Sequence, residues 1–190
     1  MPEVEAARRA LDGFARTYGA RFPPVDVEGL AGSLYRLRVR LAADLGDVAE
    51  APAGVPLSGL LVPRAYEIWV RRDESESRRR FSVAHEVGHW VLHVPAAAQA
   101  VFCRRGDVLP DVDEAALRRE RAANRFAAEL LMPEGSVRAE AERVGPDPNA
   151  LAERFAVSPI AMAFRLVNLS YLEALPPALE RDWQRWRQSL

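Results

Sequence analysis

The sequence predicts an α+β fold, a small antiparallel sheet followed by packed helices, and three observations carry that prediction. Residues 35–41 read Tyr-Arg-Leu-Arg-Val-Arg-Leu, a strict alternation of apolar and arginine side chains that marks a half-buried strand. Residues 59–63 and 67–71 are short apolar runs on either side of Pro63-Arg64-Ala65, and they read as two more strands joined by a turn. Beyond Asp73 the apolar spacing changes to three and four, the period of amphipathic helices.

Residues 3–18 follow helical spacing and end near Gly19, and residues 26–33 make a second, short helix. The strand over 35–41 puts Arg36, Arg38 and Arg40 on one face. Such a face is ordinarily solvated and blunts a sheet edge, though it could attract an acidic peptide, and an edge strand can hold a substrate in extended form. Residues 44–56, rich in alanine, glycine and proline, form a loop. Asp73 followed by Glu76 predicts a capping-box start for the next helix. Along that helix Phe81, Ala84, Gly88 and Leu92 share a stripe with two histidines, and Val83, Val87 and Trp90 line another. A helix apolar on two faces is buried. A further helix over 111–132 stops at Pro133. Residues 1–145 form one unit on this reading, and 146–190 a helical C-terminal unit.

All three histidines of the chain, His85, His89 and His93, fall within nine positions. The run His85-Glu86-Val87-Gly88-His89 fits H-E-x-x-H, which average composition produces by accident in about one chain of this length in 200. On a helix, positions four apart lie on one face, so His85 and His89 can point both imidazoles at one ion. Glu86 projects about 100° away, beside that ion, where a carboxylate can take a proton from an attacking water.

Two protein ligands do not hold a catalytic zinc; a third is needed. His93 lies about 12 Å along the helix axis from His85. Patterns that recruit a third histidine break the helix at a glycine, H-E-x-x-H-x-x-G-x-x-H, whereas residue 92 here is leucine. The third ligand is therefore a carboxylate or Cys103. The helix over 111–132 is the best source: Glu120, Asn124, Ala127 and Leu131 follow one face that turns apolar, and Glu129 is the rival on the face of Ala122 and Phe126. The ordinary alternative for either glutamate is a solvated side chain paired with Arg119, Arg121 or Arg125. Attack of such a water on a carbonyl also needs a donor for the developing oxyanion. With two histidines used, Tyr66, Tyr171 and Arg165 are the candidates.

The segments Arg80-Phe81-Ser82-Val83-Ala84-His85-Glu86-Val87-Gly88-His89 and Glu120-Arg121-Ala122-Ala123-Asn124-Arg125-Phe126-Ala127-Ala128-Glu129-Leu130-Leu131-Met132-Pro133 resemble the two signature blocks of the ImmA/IrrE metallopeptidase family. The resemblance extends more weakly upstream, covers most of residues 10–170, and implies a zincin-like core. It makes His85, His89 and Glu120 the metal ligands and Glu86 the general base. It places Asn124 on the family's Asn/Asp position, where a hydrogen bond to a ligand histidine is the expected role. Ser82 stands where the family often has threonine. Zinc is the expected metal, with manganese as the other activating ion. Family members are commonly encoded beside a helix-turn-helix repressor that they cleave, releasing stress-response or mobile-element genes. The resemblance thus implies a metalloendopeptidase with such a repressor as substrate.

Composition bounds the alternatives. A net charge of −1 argues against a surface for polyanions, and a single cysteine excludes an internal disulfide and fits a reducing compartment. Cys103 itself reads as a small, partly buried residue. The N-terminal residues lack the pattern of an export signal and no stretch is long enough to span a membrane, so a cytoplasmic location is expected. Residues 147–169 have the outline of a helix-turn-helix, with Asp147-Pro148 and Ser158-Pro159 as helix starts. A DNA reader needs polar side chains early in its second helix, and those positions here are Ile160, Ala161, Met162, Ala163 and Phe164. The unit therefore reads as a packing module, and nucleic acid is not an expected partner. A final helix over 178–190 aligns Leu179, Trp183, Trp186 and Leu190, for docking on this chain or on a partner. Beside the endopeptidase stand two other readings, a metal-binding scaffold acting by contact and a DNA-binding regulator.

Overall fold

Helix α1 (Pro2–Tyr18) leads the chain in the computed structural model, which describes residues 1–19, 23–48, 57–93, 101–104 and 114–188. Its buried face, Ala6, Ala7, Ala10, Leu11 and Phe14, recurs at helical spacing, and it ends on Gly19 at φ 64, a left-handed position that favours glycine. Helix α2 (Val27–Tyr35) is capped by the Asp26 carboxylate, which accepts from Gly29 N at 2.9 Å.

The first strand, β1 (Arg38–Ala42), begins later than the alternation predicts. Tyr35 closes α2, and Arg36 turns the chain in the left-handed region at φ 59. Arg36 is therefore not part of the strand face, and the side chains of Arg38 and Arg40 are engaged by Glu67 at 3.3 Å each. Strand β2 (Leu57–Val62), a short 3-10 turn (Pro63–Ala65) and β3 (Glu67–Arg71) form the predicted hairpin. With β4 (Val101–Arg104) they make one sheet in the order β1-β3-β2-β4.

The sheet is mixed rather than antiparallel. β2 pairs antiparallel with β3 and β4, but β1 runs parallel to β3, with Val39 opposite Ile68. Period-two alternation shows which face a residue occupies and carries no information about the direction of the neighbouring strand. β1 is an edge strand, as expected.

Helix α3 (Glu76–His93) crosses the sheet. Its cap is Ser75, whose Oγ accepts from Arg78 N at 3.3 Å, while the expected cap, Asp73, forms a two-armed ion pair with Arg71. Helix α4 (Glu114–Leu131) lies against α3 and turns Ala123, Phe126, Ala127, Leu130 and Leu131 inward. Helices α5 (Glu134–Val144), α6 (Pro148–Phe155), α7 (Pro159–Asn168) and α8 (Pro177–Gln188) follow. Asp147 and Ser158 cap α6 and α7 as their positions predict.

Leu151, Phe155, Met162 and Leu166 of α6 and α7 belong to the same apolar core as Leu61 and Ile68 of the sheet, Val83 and Val87 of α3 and Leu130 of α4. Arg80 binds the two ends of that core together. Its Nε donates to Ala156 O at 3.0 Å and its Nη2 to Val25 O at 2.8 Å. Trp183 of α8 meets Phe164 edge-on at 5.5 Å; the side chain of Trp186 and residue Leu190 lie outside the described residues. Among the described residues no helix is long and apolar enough to cross a membrane.

Candidate metal centre

Every residue of α3 from Ser82 to His89 is buried, so the two histidines meet away from bulk solvent. They lie one turn apart, with their Nε2 atoms separated by 2.9 Å. Glu120 reaches across from α4 and places Oε2 at 3.2 Å from His85 Nε2 and Oε1 at 3.2 Å from His89 Nε2. Gly88 permits this approach. A Cβ there would lie 3.2 Å from both Cα and O of Ala123 and 3.1 Å from Phe126 Cδ1. A glycine facing an alanine lets the two backbones close up, and Glu120, one turn before Ala123, then projects over the histidines.

Asn124 sits one turn beyond Glu120, with its Oδ1 2.8 Å from His85 Nδ1. An amide oxygen can only accept, so the imidazole proton is on Nδ1 and Nε2 presents a bare lone pair. Burial pushes the His89 pKa below its ordinary value, which keeps that ring neutral as well. Burial pushes Glu120 upward, but its close contacts with the His85 and His89 rings outweigh it and hold the carboxyl down to about 2. Two buried imidazole lone pairs and a carboxylate converging this closely repel one another unless a cation lies among them. The contacts of 2.9, 3.2 and 3.2 Å are near the roughly 3.3 Å edges of a tetrahedron built on bonds of about 2.0 Å. His85, His89 and Glu120 fit a divalent metal.

Residues 47–167 match the family described as the IrrE N-terminal-like domain, a peptidase family. The chain belongs to that family. No curated protein matches it. Among solved structures, a Mycobacterium tuberculosis transcriptional regulator is similar, with a TM-score of 0.58 and 18% identity over 87% of this chain. This chain covers 46% of the length of that protein, and the likeness is one of fold.

In this member of the IrrE N-terminal-like family the matched region runs from ahead of β2 to the end of α7, and so takes in the whole cluster. Glu86 is fully buried on the side of α3 that faces β2. Gly59 makes its seat: a Cβ there would stand 2.7 Å from Glu86 Oε1. Nothing in the sequence around Gly59 marked it, because its partner is distant in the chain. His93, set aside as a ligand, touches the cluster from outside, with its Nδ1 3.2 Å from His89 Nδ1. The repeated spacing of four from His85 to His89 to His93 was the available signal.

The rival glutamate has a different role. Glu129 is 2% exposed and accepts from Arg8 Nε at 2.9 Å and from Arg165 Nη2. It is neither a ligand nor a solvated partner of Arg119, Arg121 or Arg125; it joins α4 to α1 and α7. This also places Arg165, one of the three oxyanion candidates, in a structural ion cluster, with its Nε on Met132 O at 3.0 Å. Glu129 is nine residues from Glu120, about 13 Å along α4. Tyr171 lies under the Arg138 guanidinium of α5, 5.7 Å from the ring centre. Tyr66 packs on α3, its ring 5.3 Å from that of Trp90. Cys103 stands opposite Gly59 in the β4 register, and its side chain lies outside the described residues.

Proposed function

We propose that the chain is a metal-dependent endopeptidase that cleaves a cognate helix-turn-helix repressor at one or a few sites and so releases the genes it silences. The observation that carries the enzymatic reading is the convergence of His85, His89 and Glu120 with Glu86 buried one residue away. His85, His89 and Glu120 are the proposed ligands, zinc the proposed metal, and manganese the other activating ion. A divalent cation held there supplies Lewis acidity toward a peptide carbonyl. Glu86 accepts the proton of the attacking water and returns it to the leaving amine. Asn124 keeps the His85 ring turned with Nε2 inward.

Both histidine side chains are nearly closed off, at 1% and 2% exposure, whereas that of Glu120 is 37% exposed, so the site opens on the α4 side. The repressor itself is proposed from the family resemblance. In the helix-turn-helix-like unit Met162 and Ala163 are buried, which supports packing rather than base reading.

Incubating the chain with zinc or manganese and the neighbouring repressor should yield discrete fragments that a chelator abolishes. Glu86→Gln should keep fold and metal and lose turnover by about three orders of magnitude. An intact repressor under every metal condition, or efficient digestion of casein, defeats the repressor reading. A Glu86→Gln protein that still acts in cells supports regulation by contact instead.

A further inference from the structure

We infer that His93 is a positioning residue for His89, accepting its Nδ1–H and so holding the ring in the tautomer that offers Nε2 to the metal. The inference rests on the metal site proposed above and assigns a role to a residue outside the ligand set.

Both ligand histidines direct Nε2 toward the Glu120 carboxylate. A neutral imidazole that offers Nε2 as a lone pair must carry its proton on Nδ1. In a buried site that N–H needs an acceptor, because an unanswered donor costs free energy and lets the ring turn or change tautomer. For His85 the acceptor is Asn124 Oδ1 at 2.8 Å. For His89 the group at hydrogen-bond distance is His93 Nδ1, 3.2 Å away. The His89 and His93 rings are tilted at 52° with centres 5.3 Å apart, so they meet through their nitrogens rather than by stacking.

Helical geometry supplies the arrangement. His93 follows His89 by four residues, as His89 follows His85, so one stripe of α3 carries two ligands and then the acceptor for the second. The two ligands are therefore held differently. His85 is held across the interface by α4, and His89 by its own helix. Motion between α3 and α4 disturbs the first contact and leaves the second intact. An apolar side chain at 93 would fill the same space and offer no lone pair.

The test uses the full chain with zinc as probe, in wild type, His93→Leu, His93→Gln and Glu120→Ala. In competition against a chromophoric chelator, His93→Leu should weaken zinc binding by about 10- to 100-fold, the usual effect of removing such an outer partner. His93→Gln, whose carbonyl can accept, should recover most of the loss. Nitrogen-15 spectra of the zinc-loaded wild type should show two slowly exchanging imidazole N–H protons. The His89 N–H should couple through its hydrogen bond to a His93 ring nitrogen. In His93→Leu that signal should vanish while the His85 signal stays. Wild-type affinity in His93→Leu, with Glu120→Ala losing zinc, overturns this inference and leaves the site reading standing. Absence of the nitrogen–nitrogen coupling in loaded wild type overturns it whether or not His93→Leu folds. A wild type that binds no zinc overturns both.

Discussion

Gly59→Ala tests whether Glu86 acts from the seat in which the fold holds it. The added Cβ would stand 2.7 Å from Glu86 Oε1, 3.3 Å from Cγ and 3.4 Å from Cδ. Only the terminal oxygen is severely crowded, and it must retreat by roughly 0.7 Å to reach ordinary contact distance. A carboxylate at the end of a flexible side chain can do this by rotation, with little strain elsewhere. The stability cost should therefore be small, about 1 kcal/mol or less, partly offset by the lower chain entropy of alanine in the unfolded state. Catalysis is less tolerant, since a misplacement of about 1 Å in a reacting group costs on the order of 100-fold in rate. On the proposed function, Gly59→Ala should melt close to wild type, bind metal with unchanged affinity, and cleave its peptide substrate roughly 10- to 100-fold more slowly at saturating metal. A variant with the wild-type rate would refute the argument, since Glu86 would then have moved without consequence. Loss of metal or of folding would refute it differently, by showing that the space at residue 59 serves the core.

Gly88→Ala should behave in the opposite way. The clash is with the Ala123 backbone, so α3 and α4 must part by a few tenths of an ångström, beyond the roughly 0.2 Å tolerance of ligand distances; both metal affinity and stability should fall, the latter by about 1–3 kcal/mol in urea titration, and unchanged values for both would contradict the packing account. Glu129→Ala leaves Arg165, whose side chain is 12% exposed, without its buried carboxylate, and should cost about 3–5 kcal/mol while the folded fraction still binds metal; a neutral effect on the denaturation midpoint would show that the cluster is dispensable. Metal-free protein should lose thermal stability as pH falls. Burial, together with His89 and Arg119, pushes His93 down to about 4, so between an unfolded value near 6.5 and that point the unfolded chain takes up a proton that the folded one refuses. Glu120, held at about 2, extends the loss from about 4.5 downward; a flat melting temperature between pH 7 and pH 4 would contradict the His93 shift, and a flat one from about pH 4.5 to about pH 2 the Glu120 shift.

The parts legible in the sequence were those encoded within one or two turns of chain. His85, Glu86 and His89 share a helix, so their spacing alone dictates a common site. Asp147 and Ser158 cap their helices because a cap is a contact over three residues. Where two local signals competed, the sequence misled: Asp73 had the composition of a cap, but Ser75 lay at the right distance and Arg71 drew the aspartate away. The alternation over 35–41 was real, yet α2 claimed Tyr35 and Arg36 became its left-handed cap. Choosing between Glu120 and Glu129 needed the family resemblance, since both lie on one helix and differ only in which neighbour each face meets.

By itself the sequence determined the metal-binding helix, the helix that answers it, the hairpin and the apolar second helix of the C-terminal unit. These follow from periods of 3.6 and 2 and from the chemistry of single side chains. Only the tertiary structure decided the parallel pairing of β1 with β3, the seat that Gly59 makes for Glu86, the Gly88–Ala123 contact that sets the reach of Glu120, and the burial of Glu129 between Arg8 and Arg165. Each of these is a contact between residues far apart in the chain. Local periodicity says which side of an element is apolar; it does not say which other element will cover that side, or how close the two backbones will come.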